Sequence, residues 1–437
     1  MMVCACEQTQ ANNDHNAVSY RERVLTEHLE PVWQDTPAVN HLSTAFDGPA
    51  FSANRQARSA WEPRELRLQF TGSGSEYFRI WIVNLLLTLV TLGLYYPWAK
   101  VRRLRYFFGN TLVDGDPLDF HGNPKTMLRG YLLVVLMFAL YSLAGKLSAT
   151  AGLAAFVLLM VLWPALWKSS LQFRMANTSW RGLRFAFHGS LGGAYGAVLP
   201  FFLPGLVGVG AALMLGDPTK PQPWYLYLMM WIMLAIVAVG PWLFWRLKKY
   251  QHDNYGLAHW QTEFQGGPGA FYLLGLKVLG MFLPIMFLFG AFFGIMIYLM
   301  APHGPQAKGA PPPEFMAYSF LAYAAFWLVL LALFKPYSVA RTQNLVWSRT
   351  GGTAVEFSSA LRFRSLLWLS IKNWLMMVIT LGLYWPFAAV ATTRMRLEAV
   401  HASARHNPET LAAEAGAGEG EAAGDAAGDM FGFDIGL

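Results

Sequence analysis

The sequence predicts an all-α polytopic membrane protein: about six to eight membrane helices in repeated hairpin units, with short cytoplasmic β-hairpins between the units. Three observations predict it. The 437-residue chain is 55% hydrophobic and only 14% charged, too apolar for a soluble globular protein. Its apolar runs are long enough to cross hydrocarbon, which takes about 20 helical residues. Between the runs, Pro, Asn and Phe-x-Gly recur at fixed spacing.

Composition also limits the partners. The formal charge of +7 comes from Lys and Arg at the ends of apolar runs, which fits a bilayer surface better than nucleic acid. The expected partner is the lipid bilayer, with anionic lipid headgroups at the cytoplasmic face; no protein partner is specified. Cys4 and Cys6, in a polar leader, supply neither a disulfide framework nor a complete metal site. No metal or cofactor is implied.

Residues 1–60 lack the basic start and apolar core of a secretory signal and are expected to be a retained, disordered tail. Residues 61–397 form the expected membrane domain. Residues 398–437 are rich in Ala, Gly and acids, cannot bury enough apolar surface to order, and are expected to be a solvated tail. Spans are expected near 127–145, 151–171, 192–216, 224–247, 270–300 and 315–334, bracketed by two further segments near 78–97 and 366–386. The 270–300 run exceeds one span, so a tilt or a kink at Pro284 is expected.

The bracketing segments are near copies. One carries Asn84, then Thr91-Leu92-Gly93-Leu94-Tyr95 and Pro97; the other carries Asn373, then Thr380-Leu381-Gly382-Leu383-Tyr384 and Pro386. A wider internal repeat links the spans. Pro97, Pro164 and Pro241 are each followed thirteen residues later by Asn110, Asn177 and Asn254. Ten residues after each Asn comes Phe-x-Gly, at Phe120 and Gly122, Phe187 and Gly189, and Phe264 and Gly266. Phe70 and Gly72 read as the end of another copy, and Pro336, Asn344 and Phe357 as a looser fourth. The unit is an inward helix ending at Pro, a basic extension, an Asn, a polar excursion and Phe-x-Gly. Gly72, Gly122, Gly189 and Gly266 are expected to supply positive φ where strand turns into helix.

The excursions alternate like strands, as in Leu66-Arg67-Leu68-Gln69-Phe70, 183–187, 260–264 and 355–357, and Asp114-Gly115 and Arg181-Gly182 are turn signals. Unpaired backbone cannot sit in lipid, so the hairpins lie outside hydrocarbon, either paired into a small capping sheet or as separate loops. Lys and Arg concentrate in these connections, which places them and both termini in the cytoplasm. That creates a conflict at 78–97 and 366–386. Length alone suggests ordinary spans, yet both end in the motif that elsewhere marks a cytoplasmic exit. A re-entrant hairpin, broken near Thr91-Leu92-Gly93 and Thr380-Leu381-Gly382, is the alternative.

No Asp or Glu lies in an expected span, which disfavours a carboxylate proton or cation relay. Asn84, Thr88, Thr91, Asn373 and Thr380 are the candidate polar residues, either lining a path or bonding helix to helix. His121 and His188 fill the middle of Phe-x-Gly, and His252, Asp253, His259 and Glu263 crowd the third excursion. The middle position is Gln265 in the next copy, so a shared metal ligand is excluded and a turn residue is the simpler reading. No catalytic residue is assigned.

With 76–84 and the run from Thr91 to Tyr106 read, the chain resembles the YjgN family of bacterial inner-membrane proteins over about residues 66–396, including the Asn and Phe-x-Gly repeats. The resemblance implies a multi-pass protein of the cytoplasmic membrane and transfers no catalytic residue. Ser359 stands where the repeat expects Gly. The function expected is transport or channel-like passage of a neutral or anionic solute or lipid. The alternatives are a non-catalytic scaffold recruiting partners through its cytoplasmic face, and a lipid-modifying enzyme.

Overall fold

Short alternating segments fold here into strands that close on themselves. The computed structural model describes residues 64–215, 222–300 and 313–406, so the expected leader 1–60 and most of the expected acidic tail lie outside the described residues. The chain first forms β1 (Arg64–Leu66) and β2 (Leu68–Phe70), two stretches of one segment interrupted at Arg67. Asp114-Gly115 and Arg181-Gly182 have φ of 55° and 90°, and of 51° and 81°, the two positive values of a type I′ hairpin turn. These turns fold β3 (Thr111–Val113) onto β4 (Asp116–Phe120), and β5 (Thr178–Trp180) onto β6 (Leu183–Phe187). The third excursion gives β7 (Tyr255–Leu257), β8 (Trp260–Gln261) and β9 (Glu263–Phe264); the fourth gives β10 (Thr350–Gly351) and β11 (Val355–Ser359). Val400–Ala404 forms β12.

The hairpins pair with one another, all antiparallel. One sheet runs β2-β3-β4-β5-β6-β7-β8 and the other β9-β10-β11-β12-β1. β1 and β2 are one segment, as are β8 and β9 across Thr262, so among the described residues the pairing runs a full circle and leaves no free edge. The crossings are held by backbone: Asp114 N donates to Arg67 O at 2.9 Å, and Thr262 N to Tyr255 O at 2.8 Å. Closure depends on β12, whose Ala404 faces Arg64 of β1. The expectation that residues from 398 onward are tail is corrected for this stretch. Val400, Ala402 and Ala404 are buried, the latter two against Leu66, and the Glu398 carboxylate accepts from Phe70 N.

One junction recurs five times around the ring. Thr71, His121, His188, Gln265 and Ala360 each donate a backbone N–H to the carbonyl of Asn110, Asn177, Asn254, Arg349 and Ala399 respectively, at 2.8–2.9 Å. Those carbonyls lie at helix ends, where intrahelical donors run out. This corrects the looser fourth copy. Arg349, not Asn344, holds the junction after Pro336, while Asn344 lies within a helix and accepts from Ser359 Oγ and Leu361 N, both at 2.9 Å. The glycine expectation is also corrected, because Gly72, Gly122, Gly189 and Gly266 do not have positive φ. Instead the Phe ring two residues earlier folds over each: a Cβ would stand 2.8, 2.5, 2.5 and 2.4 Å from the nearest atom of Phe70, Phe120, Phe187 and Phe264. Gly is required here by contact with the ring rather than by φ.

Each junction closes the base of one helical hairpin. The hairpins are α1 (Gly74–Val90) with α2 (Tyr96–Gly109), and α3 (Pro124–Leu147) with α4 (Ala149–Ala176). Then α5 (Leu191–Val198) and α6 (Leu203–Ala212) pair with α7 (Pro223–His252), α8 (Pro268–Met300) with α9 (Pro313–Trp347), and α10 (Phe363–Ile379) with α11 (Trp385–Leu397). Ser73, Asn123, Ser148 and Ser190 cap helix starts, each side chain accepting a first-turn N–H. Apart from α5 and α6, which both pack on α7, each helix packs on its successor, and α1 packs on α11. Pro164 and Pro241 do not end helices, as the repeat suggested; α4 and α7 run on past them, whereas Pro97 and Pro386 begin α2 and α11. The run expected at 192–216 is interrupted by a 3-10 turn at Leu199–Phe202, which contains Pro200.

Among the described residues six helices are long and apolar enough to cross a membrane: Pro124–Leu147, Ala149–Ala176, Leu191–Ala212, Pro223–His252, Pro268–Met296 and Ala317–Trp347. The protein is thus a polytopic helical membrane protein. Segments 78–97 and 366–386 are not single helices; each breaks at Thr-Leu-Gly and reverses.

Candidate functional site

Helices α4, α7 and α9 carry their last turns beyond their apolar stretches to the strand ring. The thirteen residues from Pro164 to Asn177 make about 20 Å of helix at 1.5 Å per residue. Where the ends of α4, α7, α9 and α11 meet β6–β8, β10 and β11, they enclose a cavity of about 510 Å³. That is within the range of small-molecule sites.

Arg174 of α4, Lys248 of α7 and Arg396 of α11 line it, and among the described residues no Asp or Glu does. The hydrogen-bond partners of two of these cations are amides. Lys248 Nζ donates to Gln251 Oε1 at 3.0 Å, and Arg396 Nε to Gln343 Oε1 at 2.9 Å. Gln343 is itself buried and fixed by its Nε2, which donates to Arg396 O at 2.8 Å. The nearby carboxylate of Asp253 is used elsewhere, pairing with Lys249 at 2.9 Å and accepting from Phe264 N at 2.7 Å. Arg174 and Lys248 are half-buried and Arg396 is exposed, and a cation that has lost part of its water favours a counter-charge. The C-terminal ends of α4, α7 and α11 supply partial negative charge, which steadies the cations without neutralising them.

The rest of the lining is aromatic and amide. Trp167, Tyr255, Trp260 and Trp347 offer apolar surface, and Gln251 and Gln261 offer polar groups. His252 is buried between Tyr255 and Trp347, with ring centroids 5.3 Å from each. Its Nδ1 lies 3.0 Å from Thr350 Oγ1, whose single proton goes to Val346 O at 2.8 Å. Nδ1 therefore donates, and the Nε2 of a neutral ring keeps its lone pair. Burial raises the Tyr255 phenol above its ordinary pKa against the opposing charge of Arg174. Arg396 keeps accessible surface yet stands among protein atoms, and desolvation holds its pKa below the usual arginine value. The arrangement suits an anionic group attached to an apolar or planar body.

The residues singled out by sequence lie elsewhere. Asn84 and Asn373 are buried inside their helical hairpins, with Nδ2 donating across to Ala99 O and Thr392 Oγ1, each at 3.4 Å. Their Oδ1 atoms have no partner among the described residues. Thr88 donates to Asn84 O, Thr91 to Leu87 O and Thr380 to Met376 O, so all three hydroxyls bond within their own helices. Asn110, Asn177 and Asn254 close helix ends through Nδ2, donating to carbonyls four residues back at 2.7–2.8 Å. His121 Nε2 meets Ser179 Oγ at 2.8 Å in the next hairpin. Among the described residues no three His, Cys, Asp or Glu are placed to hold a metal. Only His252 of the third-excursion group reaches the cavity. Lys248, Arg174 and Arg396 read in sequence only as charges at span ends.

The family model for bacterial proteins of unknown function termed DUF898 matches residues 65–430. The inner membrane protein YjgN of Salmonella typhimurium strain LT2 is 25% identical over 337 residues, covering 74% of this chain and 85% of its own. Proteins of the same name from Escherichia coli K12 and O157:H7 are each 32% identical over 155 and 154 residues, 35% of this chain and 38% of theirs. No solved structure matches the chain.

Proposed function

The chain belongs to the DUF898 or YjgN family of bacterial membrane proteins, and from that premise we propose that it admits an anionic solute, or the head of an anionic lipid, into the cavity beneath its strand ring as a step in passage through the inner membrane. The observation that carries this reading is the pairing of Lys248 and Arg396 with neutral amides in a lining without carboxylates. An anion entering there exchanges hydration for charge-assisted hydrogen bonds. A cation or a neutral sugar gains no such exchange. In this reading the five junctions are copies of one unit, and the ring with both termini faces the cytoplasm, where the basic helix ends meet anionic headgroups.

Two assays on reconstituted vesicles test passage: release of radiolabelled inorganic phosphate, and transfer of fluorescent phosphatidylglycerol between leaflets. At least one should run faster than in protein-free vesicles and fall when Lys248→Gln is combined with Arg396→Gln. Background rates in both would overturn passage. A scaffold is then the better reading, favoured by a second, polar groove of about 610 Å³ lined by Glu65, Arg349, Glu356 and His401.

A further inference from the structure

We propose that the two short helical hairpins, α1/α2 and α10/α11, dip into one leaflet of the bilayer from the side of the strand ring and turn back near its middle, so that their tips contact lipid acyl chains. Three independent observations lead there. First, both ends of each hairpin are tied to the same ring. Thr71 before α1 bonds Asn110 after α2, and Ala360 before α10 bonds Ala399 after α11. A segment anchored in this way cannot finish on the far side.

Second, the hairpins are too short to cross. α1 and α10 have 17 residues each, against 24 and 28 in the neighbouring α3 and α4. The apolar part of α1, from Trp81 to Val90, comes to about 15 Å, or half of the roughly 30 Å hydrocarbon core. The two hairpins pack on each other: the Trp81 ring of α1 lies 6.0 Å from that of Trp385, the first residue of α11.

Third, the tips are built for immersion. Leu92 and Leu381 are 94% and 93% exposed, at φ of 50° and 49°. A left-handed non-Gly residue costs about 1–2 kcal/mol, so an apolar side chain is kept at a position where Gly sits without strain. All N–H groups across the first turn are satisfied: Thr91 by Leu87 O, Leu92 by Leu89 O, Gly93 by Thr88 O, Leu94 by Thr91 O and Tyr96 by Gly93 O. The Tyr95 N–H bonds the Thr91 hydroxyl at 2.9 Å. The turn at Thr380–Trp385 repeats every one of these bonds, including Tyr384 N to Thr380 Oγ1 at 3.0 Å. Water would relieve an aqueous turn of this requirement; hydrocarbon imposes it.

The test uses the full chain with Cys4→Ser and Cys6→Ser, carrying single cysteines in intact vesicles. Gly115→Cys reports the ring side and Thr150→Cys, in the first turn of α4, the opposite side. Leu92→Cys and Leu381→Cys should resist a membrane-impermeant maleimide from both sides and react once detergent is added. A fluorophore attached at either tip should be quenched more by lipids brominated near the chain end than near the headgroup. Reaction from the Thr150 side, or from the Gly115 side without detergent, overturns the proposal. Val90→Cys and Ile379→Cys, on regular helix, repeat the measurement without disturbing the left-handed position.

Discussion

Gly189→Ala probes the junction that builds the ring. The added Cβ would stand 2.5 Å from Phe187 Cε1 and 2.5 Å from Tyr250 Oη. Both are about 1 Å inside the roughly 3.5 Å of comfortable contact. Neither ring has room to yield, since Phe187 and Tyr250 are buried with Trp167, Leu171 and Ala194. Tyr250 Oη also donates to Ser190 O at 2.9 Å, the carbonyl of the residue that caps α5. Overpacking costs about 1–3 kcal/mol and a lost hydrogen bond about 0.5–1.5 kcal/mol. Together they predict roughly 2–4 kcal/mol, a fall in Tm of several degrees at about 2 °C per kcal/mol. The assay is thermal unfolding of the detergent-solubilised protein, with Gly192→Ala as reference. A Cβ at Gly192 meets nothing within 4 Å, and Ala there is expected to be neutral or slightly stabilising. Equal melting of the two variants would refute the packing account of Phe-x-Gly.

Arg394→Met removes donors to Phe70 O (3.2 Å) and Gly72 O (2.8 Å), which tie the last helix to the first strand segment. Hydrogen exchange should rise first at 64–72 and 400–404, with a cost of about 1–3 kcal/mol; unchanged exchange at that seam contradicts its role in closure. Thr91→Val with Thr380→Val leaves the N–H groups of Tyr95 and Tyr384 without their side-chain acceptors, in hydrocarbon if the proposed immersion holds. That pair should lose about 1–3 kcal/mol per site in thermal unfolding, and Thr→Ser at both positions should restore wild-type melting. If Val and Ser behave alike, the tips do not depend on those bonds.

Much of this molecule could be read locally, and what could not depends on distant contacts. Asp114-Gly115 and Arg181-Gly182 announced their turns because a type I′ geometry demands positive φ there. The spans followed from apolar length. At Gly122 or Gly266, however, positive φ and a ring folded over Cα leave the same letter in the chain, so the letter alone does not tell the two causes apart. β12 went unread because Val400–Ala404 adjoins an Ala- and Gly-rich segment and is ordered by pairing with β1, 336 residues away at the His401–Glu65 contact. The cavity was hidden for a similar reason. Lys248 and Lys249 are adjacent and chemically identical, yet one faces the lining and the other pairs with Asp253. Only the ring decides which is which. The inward side of Arg396 likewise depends on Gln343, 53 residues back.

The most direct test of the account is anion binding by the purified protein in a neutral detergent, titrated with inorganic phosphate and with a short-chain phosphatidylglycerol by calorimetry and thermal shift. A charge-assisted bond is worth about 1.5–3 kcal/mol, so losing Lys248 or Arg396 should weaken binding about ten- to 150-fold. The account predicts that at least one of the two anions binds and stabilises the wild type, and that Lys248→Gln with Arg396→Gln abolishes the response. Wild-type protein indifferent to both anions, or a double variant that binds as tightly as wild type, would contradict it.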